Sequence, residues 1–189
     1  LKGIENNLGW CHPYFAHPWT HGQFFNTRFR GFRDQSYEMR RSEQGLVVFT
    51  PVTANEEEPI PEQPLIKLTF DLPNRVRAEF WKPFHLVIVM HFVPTGNNTC
   101  RFEWLISKLL PIGSRVSWRK WQPRIFLQDQ SVLESAQRWY DREGDNFERS
   151  VDADASTLLV RQIVTMAESG NWEEKRSSLP LRKVVTVRA

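Results

Sequence analysis

Cysteine is scarce in this chain. Only Cys11 and Cys100 occur in 189 residues, with no C-x-x-C or C-x-H spacing. They form neither a zinc knuckle nor an iron–sulfur ligand set, and a disulfide framework is excluded. Two free thiols fit a reducing compartment such as the cytoplasm. Long hydrophobic runs are missing too. The longest, "FHLVIVMHFV" at 84–93, is about half the roughly 20 residues a membrane-spanning helix needs. Its His91 and the following Pro94 suit a buried strand. Charge of one sign is also lacking: 25 basic against 22 acidic residues leave a net +3 with no basic tract, which argues against a nucleic-acid partner. No internal repeat is present.

What remains is the composition of one soluble globular domain spanning residues 1–189, with 40% hydrophobic and 25% charged residues and length enough for a core. Residues 5–21 predict a short helix followed by a turn punctuated by Pro13 and Pro18. Strands are expected in "FNTRFRGFR", in "SYEMRRSEQGLVVFTPV" with "SEQG" as a hairpin turn, and in "LIKLTFDLP", "RVRAEFWK", "FHLVIVMHFVP" and "CRFEWLIS". "TGNN" turns between the last two, and the acidic, proline-rich "TANEEEPIPEQP" is an exposed loop. Two helices, over 124–141 and 152–169, are expected to close the chain. The second has an Asp cap and ends at Gly170. Antiparallel strands followed by long helices make an α+β domain.

Three of the five histidines, His12, His17 and His21, fall within ten residues among Trp10, Tyr14, Phe15, Trp19, Phe24 and Phe25. Neutral imidazole is the commonest metal ligand, yet it also fills half-buried aromatic surfaces. A second unusual residue is Asp129. Helical spacing puts it on one face with Ile125, Phe126, Val132, Leu133, Ala136 and Tyr140. A carboxylate on an apolar face demands compensation: a metal ion, an arginine such as Arg161, or a cluster of backbone N–H groups. Two imidazoles and one carboxylate on one side of an ion form the facial triad of non-haem Fe(II) oxygenases, with positions left open for O₂. The plainer reading is that His12 and His17 hold the turn together through hydrogen bonds.

The opening stretch resembles the mononuclear-iron motif of the Rieske-type non-haem iron oxygenases, E-N-x-x-D-x-x-H-x-x-x-x-H: Glu5 and Asn6 match its first pair, and His12 and His17 its two histidines. The later "IFLQDQSVLESAQ" resembles the family's E-D-x-x-V-L-E-x-Q helix, with Asp129 at the carboxylate ligand, Glu134 at another family position and Gln137 one residue beyond the last. The style is similar to the branch that includes pheophorbide a oxygenase and vanillate demethylase. The resemblance implies a helix-grip (START-like) fold, a large antiparallel sheet with long C-terminal helices around a cavity. It implies Fe(II) held by His12, His17 and Asp129, with Asn6 supporting them. It also implies O₂-dependent hydroxylation, demethylation or ring oxidation of a small aromatic or cyclic substrate. A Rieske [2Fe–2S] cluster is expected on an N-terminal domain absent from this chain, fed by a ferredoxin or reductase, in a homotrimer at full length. One departure stands out. The family's aspartate three residues before the first histidine, which links the iron to the cluster of a neighbouring subunit, is Gly9 here. That opens an alternative, a hydrophobic-ligand-binding domain derived from an oxygenase with impaired electron delivery. Structural zinc also suits these ligand types.

His21, four residues after His17, is expected outside the ligand set. His85 and His91, six apart, are expected on one face of their strand as core or pocket-lining groups. Trp10, Trp19, Phe24, Phe80, Trp81 and Trp104 are candidate cavity walls, and Arg138, Arg142 and Arg149 a solvated basic face.

Overall fold

The computed structural model describes residues 1–9, 17, 34–81, 85–96, 99–108, 114–144 and 148–188, with the backbone alone for 108 and 114–122. Its elements are α1 (Lys2–Leu8), β1 (Asp34–Arg41), β2 (Gly45–Thr50), β3 (Ile66–Asp71), β4 (Arg75–Phe80), β5 (Leu86–Gly96), β6 (Thr99–Lys108), α2 (Ser114–Glu143), α3 (Ala155–Glu168), α4 (Trp172–Lys175) and β7 (Arg182–Arg188). All strands pair antiparallel in one sheet of order β6-β5-β4-β3-β2-β1-β7. The fold is α+β and helix-grip, as the sequence implies.

Side chains alternate across a strand, so the register fixes which residues share the inner face. Met39, Val48, Leu68 and Ala78 form one inward row, and Leu46, Phe70, Val76 and Met90 the next. Upon them α3 lays Ala155, Leu159, Val160 and Ile163, and α1 lays Ile4 and Leu8. The "SEQG" turn is confirmed. Ser42 N–H donates to the Gly45 carbonyl at 2.9 Å, and a Cβ at Gly45 would run into the backbone carbonyl of Phe70. Gly170, at φ 72°, ends α3 in the left-handed conformation that glycine adopts without strain.

Three expectations need correction. The chain closes on a strand, β7, not on a helix: "RKVVTVR" alternates, with Val185 and Val187 inward, and pairs with β1 through Tyr37↔Val185 and Gln35↔Val187. The first long helix reaches upstream through Pro123 to Ser114, where a start at 124 was expected. The second begins with a 3₁₀ turn, Asp152–Asp154, and Asp154, not Asp152, accepts the Val151 N–H at 3.0 Å. The expected strand "FNTRFRGFR" lies outside the described residues.

The outer face of β1 carries a fully buried carboxylate, Glu38. It accepts from Thr53 N–H (2.7 Å), Thr53 hydroxyl (2.8 Å) and Arg40 Nε (2.6 Å), and Arg182 Nε of β7 lies 3.0 Å away. The acidic loop is therefore solvated at its rim but anchored at Thr53, which is buried. Burial pushes the Glu38 carboxyl up; the Thr53 and arginine donors outweigh it and hold it down at about 2, from 4.5.

A second charged knot ties α1 to α3. Arg161 Nε and Nη2 donate to Glu5 at 2.7 and 2.8 Å, while Nη1 and Nη2 donate to Glu148 at 2.6 Å each. Lys2 Nζ lies 3.4 Å from Glu5 and 3.9 Å above the Tyr140 ring. Arg161 holds the Glu148 carboxyl at about 2 despite partial burial.

Two outcomes follow from these knots. Glu38→Gln should destabilise the fold at pH 7 by about 2–3 kcal/mol in urea denaturation. Because the folded carboxyl titrates below its unfolded value, that stabilisation is complete above about pH 5 and is lost as pH falls towards 2. The two proteins should converge in acid, and a pH-independent gap would contradict the charge pairing. Arg161→Ala strands the buried Glu5 carboxylate and should cost about 3–5 kcal/mol, with hydrogen exchange in α1 accelerating more than in the central strands.

Candidate metal centre

A seven-residue helix is marginal on its own, so α1 exists through its contacts. Successive helical residues point about 100° apart, and here three consecutive side chains serve three neighbours. Ile4, with Leu8 one turn later, enters the sheet core; Glu5 meets Arg161 of α3; Asn6 reaches α2. The Leu8 carbonyl accepts from the buried Ser156 hydroxyl at 2.8 Å, closing the helix end against α3. Gly3 permits close packing, since a Cβ there would lie 2.6 Å from the Phe92 ring.

What Asn6 reaches is Asp129, buried at 7% exposure in the middle of α2. Asn6 Nδ2 donates to Asp129 Oδ1 at 3.0 Å. His17, which is fully buried, places Nε2 3.0 Å from the same oxygen. Its other nitrogen, Nδ1, stands 3.0 Å from Gln128 Oε1. Of the three compensations open to Asp129, Arg161 is ruled out, since it is engaged with Glu5 and Glu148. Burial pulls the His17 imidazole towards neutrality; the Asp129 carboxylate, assisted by Gln128, outweighs this and raises its pKa above 6.5.

The donor set is one imidazole nitrogen and one carboxylate oxygen, the mixture that suits Fe(II) or Zn(II). Adjacent ligands each about 2.1 Å from an ion and at right angles are about 3 Å apart, so the His17–Asp129 separation fits joint ligation. The same spacing suits an imidazolium–carboxylate pair, so metal and proton compete for the same two atoms. His12, the third expected ligand, lies outside the described residues, as do His21, Trp10, Trp19 and Phe24. Among the described residues, no group of three His, Cys, Asp or Glu side chains clusters as a metal site.

One turn before Asp129, Phe126 packs edge-on to Phe102 (4.9 Å between ring centres) and tilted against Trp104 (4.5 Å) of β6. Phe92 of β5 extends this aromatic cluster at 5.0 Å from Phe102. Trp104 joins this aromatic cluster through Phe126, Phe80 packs against the core, and Trp81 is stacked on His85 at 3.8 Å. His91 pairs in register with Arg75 and Glu103 on the sheet's outer face. Arg138 and Arg142 are exposed, with Arg142 over the Trp139 ring. A cleft of about 450 Å³ opens between α1, α2 and α3, lined among others by Asn6, Gly9, Leu133, Tyr140 and Leu158. Of the expected apolar face around Asp129, Val132 is half-exposed and does not belong. Sequence reasoning missed Gln128, which stands beside Asp129 where the family pattern carries a glutamate, and it missed the service of Arg161 to Glu5.

No helix among the described residues is long and apolar enough to cross a membrane. Comparison with curated proteins finds no match. Among solved structures, that of Pseudomonas putida CBB5 NdmA with caffeine is similar, with a TM-score of 0.67 and 20% identity over 97% of this chain. That likeness is one of fold, and the chain spans about half (53%) of that structure's chain. Residues 15–169, most of the sequence, match the family described as the vanillate O-demethylase oxygenase C-terminal domain. The chain belongs to that family and is a catalytic domain of the Rieske oxygenase type.

Proposed function

We propose that this chain is the mononuclear-iron domain of an oxygenase that uses O₂ to hydroxylate, demethylate or ring-oxidise a small aromatic or cyclic substrate. The observation that carries the reading is the buried His17–Asp129 pair, its two donor atoms 3.0 Å apart on a domain of this family. In this reading His12, His17 and Asp129 hold one Fe(II), which when bound supplies an O₂-activating centre reduced by a Rieske [2Fe–2S] cluster. Asn6 directs one lone pair of Asp129 Oδ1 by donating to it, and the Glu5–Arg161 fork keeps α1 at the height this requires. Phe102, Trp104 and Phe126 offer ring faces to a flat substrate one helical turn away. Demethylation is favoured within the class by the family's description and by the caffeine, a methylated heterocycle, bound to NdmA. Electrons would come through a ferredoxin or reductase, and a homotrimer is the expected assembly of the full-length protein.

A second reading rests on Gly9. Its backbone is ordinary (φ −65°, ψ 107°), and among the described residues a Cβ would meet only the Glu5 and Asn6 carbonyls at 3.4 and 3.6 Å. Sterics therefore do not exclude an aspartate there. This favours an oxygenase-derived ligand-binding domain in which the link to the electron donor has been dropped.

Anaerobic titration of the purified protein should take up about one Fe(II) per chain, and His12→Ala, His17→Ala or Asp129→Ala should each abolish uptake. Full iron retained by the variants would overturn the ligand assignment. Uptake should weaken progressively on acidification, since the raised pKa of His17 means a proton occupies Nε2 at pH values where an ordinary histidine is already free. In the complete electron-transfer system, Gly9→Asp should fold normally. A large gain in O₂ consumption over the unsubstituted protein would support the second reading.

A further inference from the structure

We propose that Gln128 is the positioning residue for His17: its side-chain carbonyl accepts the Nδ1–H and thereby presents Nε2 to the metal. This rests on the iron-site reading above. Gln128 and Asp129 are consecutive on α2, and consecutive helical side chains diverge by about 100°. Both nevertheless reach the same partner, because an imidazole has two nitrogens on different edges. Nδ1 meets Gln128 Oε1 and Nε2 meets Asp129 Oδ1, each at 3.0 Å. The ring is gripped at both nitrogens by neighbouring residues of one helix.

Chemistry decides which way round the Gln128 amide must stand. With a metal on Nε2, a neutral imidazole keeps its single proton on Nδ1. With no metal and the ring protonated, Nδ1 again carries a proton. In both states the facing group must accept, so the amide oxygen belongs there and the NH₂ would oppose donor to donor. His17 is fully buried, so bulk water offers no replacement, and a buried N–H left without a partner is costly. The acceptor is neutral. It holds the proton without drawing it off, so the imidazole is a weaker electron donor to a metal than it would be opposite a carboxylate. It also avoids a second negative charge beside Asp129.

The test uses Gln128→Leu, which keeps bulk and removes the acceptor, and Gln128→Glu, which restores one. In metal-free protein labelled with ¹⁵N-histidine, the His17 Nδ1–H resonance should be protected from exchange in the unsubstituted protein and in Gln128→Glu, and lost in Gln128→Leu. In anaerobic titration, Fe(II) affinity should fall about 10–100-fold in Gln128→Leu and remain at least at the starting value in Gln128→Glu. Equal affinity in Gln128→Leu and the unsubstituted protein would sink the assignment while leaving the iron site standing. So would a Gln128→Glu protein as weak as Gln128→Leu. Absence of Fe(II) uptake by the unsubstituted protein would instead bring down the site itself, and the assignment with it.

Discussion

A carboxylate withdrawn from water is the constraint around which this domain is arranged. Asp129 sits in a helix that is otherwise mostly solvent-facing beyond Pro123, and it is the only residue of α2 among those with described side chains to be buried. Such a group is tolerated only where its charge is answered. Asn6 and His17 answer it from segments more than a hundred residues away in sequence. Asn6 answers with a neutral hydrogen bond, while His17 can answer as an imidazolium paired with the carboxylate or yield that place to a cation at the same two atoms. The arginine weighed for that purpose, Arg161, is engaged with Glu5 and Glu148 instead.

That division of labour runs through α1. Its seven residues bind sheet, α3 and α2 with three successive side chains, so the helix transmits position from the core to the acid. If Glu5 lost Arg161, Asn6 would lose its footing before any residue of the site itself had changed. Stability and the surroundings of Asp129 are therefore coupled here at one short element. This makes physical sense of an adjacent glutamate and asparagine: one fastens, the other serves.

The sheet was legible because its period is simple. Alternation in "SYEMRR", "LIKLTF" and "RVRAEF" marks the strands, and glycine marks the first hairpin. Asp129 was legible because a carboxylate on an apolar helical stripe is anomalous, and His17 because the family motif supplied its spacing. Other features were hidden for identifiable reasons. β7 is a short edge strand whose lysine and arginines mask its valines, so two helices were expected to close the chain. The upstream third of α2 was hidden by Pro123, which propensity assigns to a helix start. Gln128 was invisible because a glutamine carries no signal until the ring it faces is known. Glu38 resembled any surface acid of a strand, since its partners come from a loop and from the far end of the chain.

The placement of β7 has a consequence for how the protein is made. β1 to β6 form a meander of sequential neighbours that can zip up as the chain emerges from the ribosome, but the outer edge of β1 must wait for residues 182–188. Until then one flank of the sheet offers unpaired backbone groups to any passing strand, and Glu38 lacks Arg182. The nascent domain thus passes through a stage with its acid exposed to water and its edge open, and this window, not the finished fold, is where chaperones or aggregation would act.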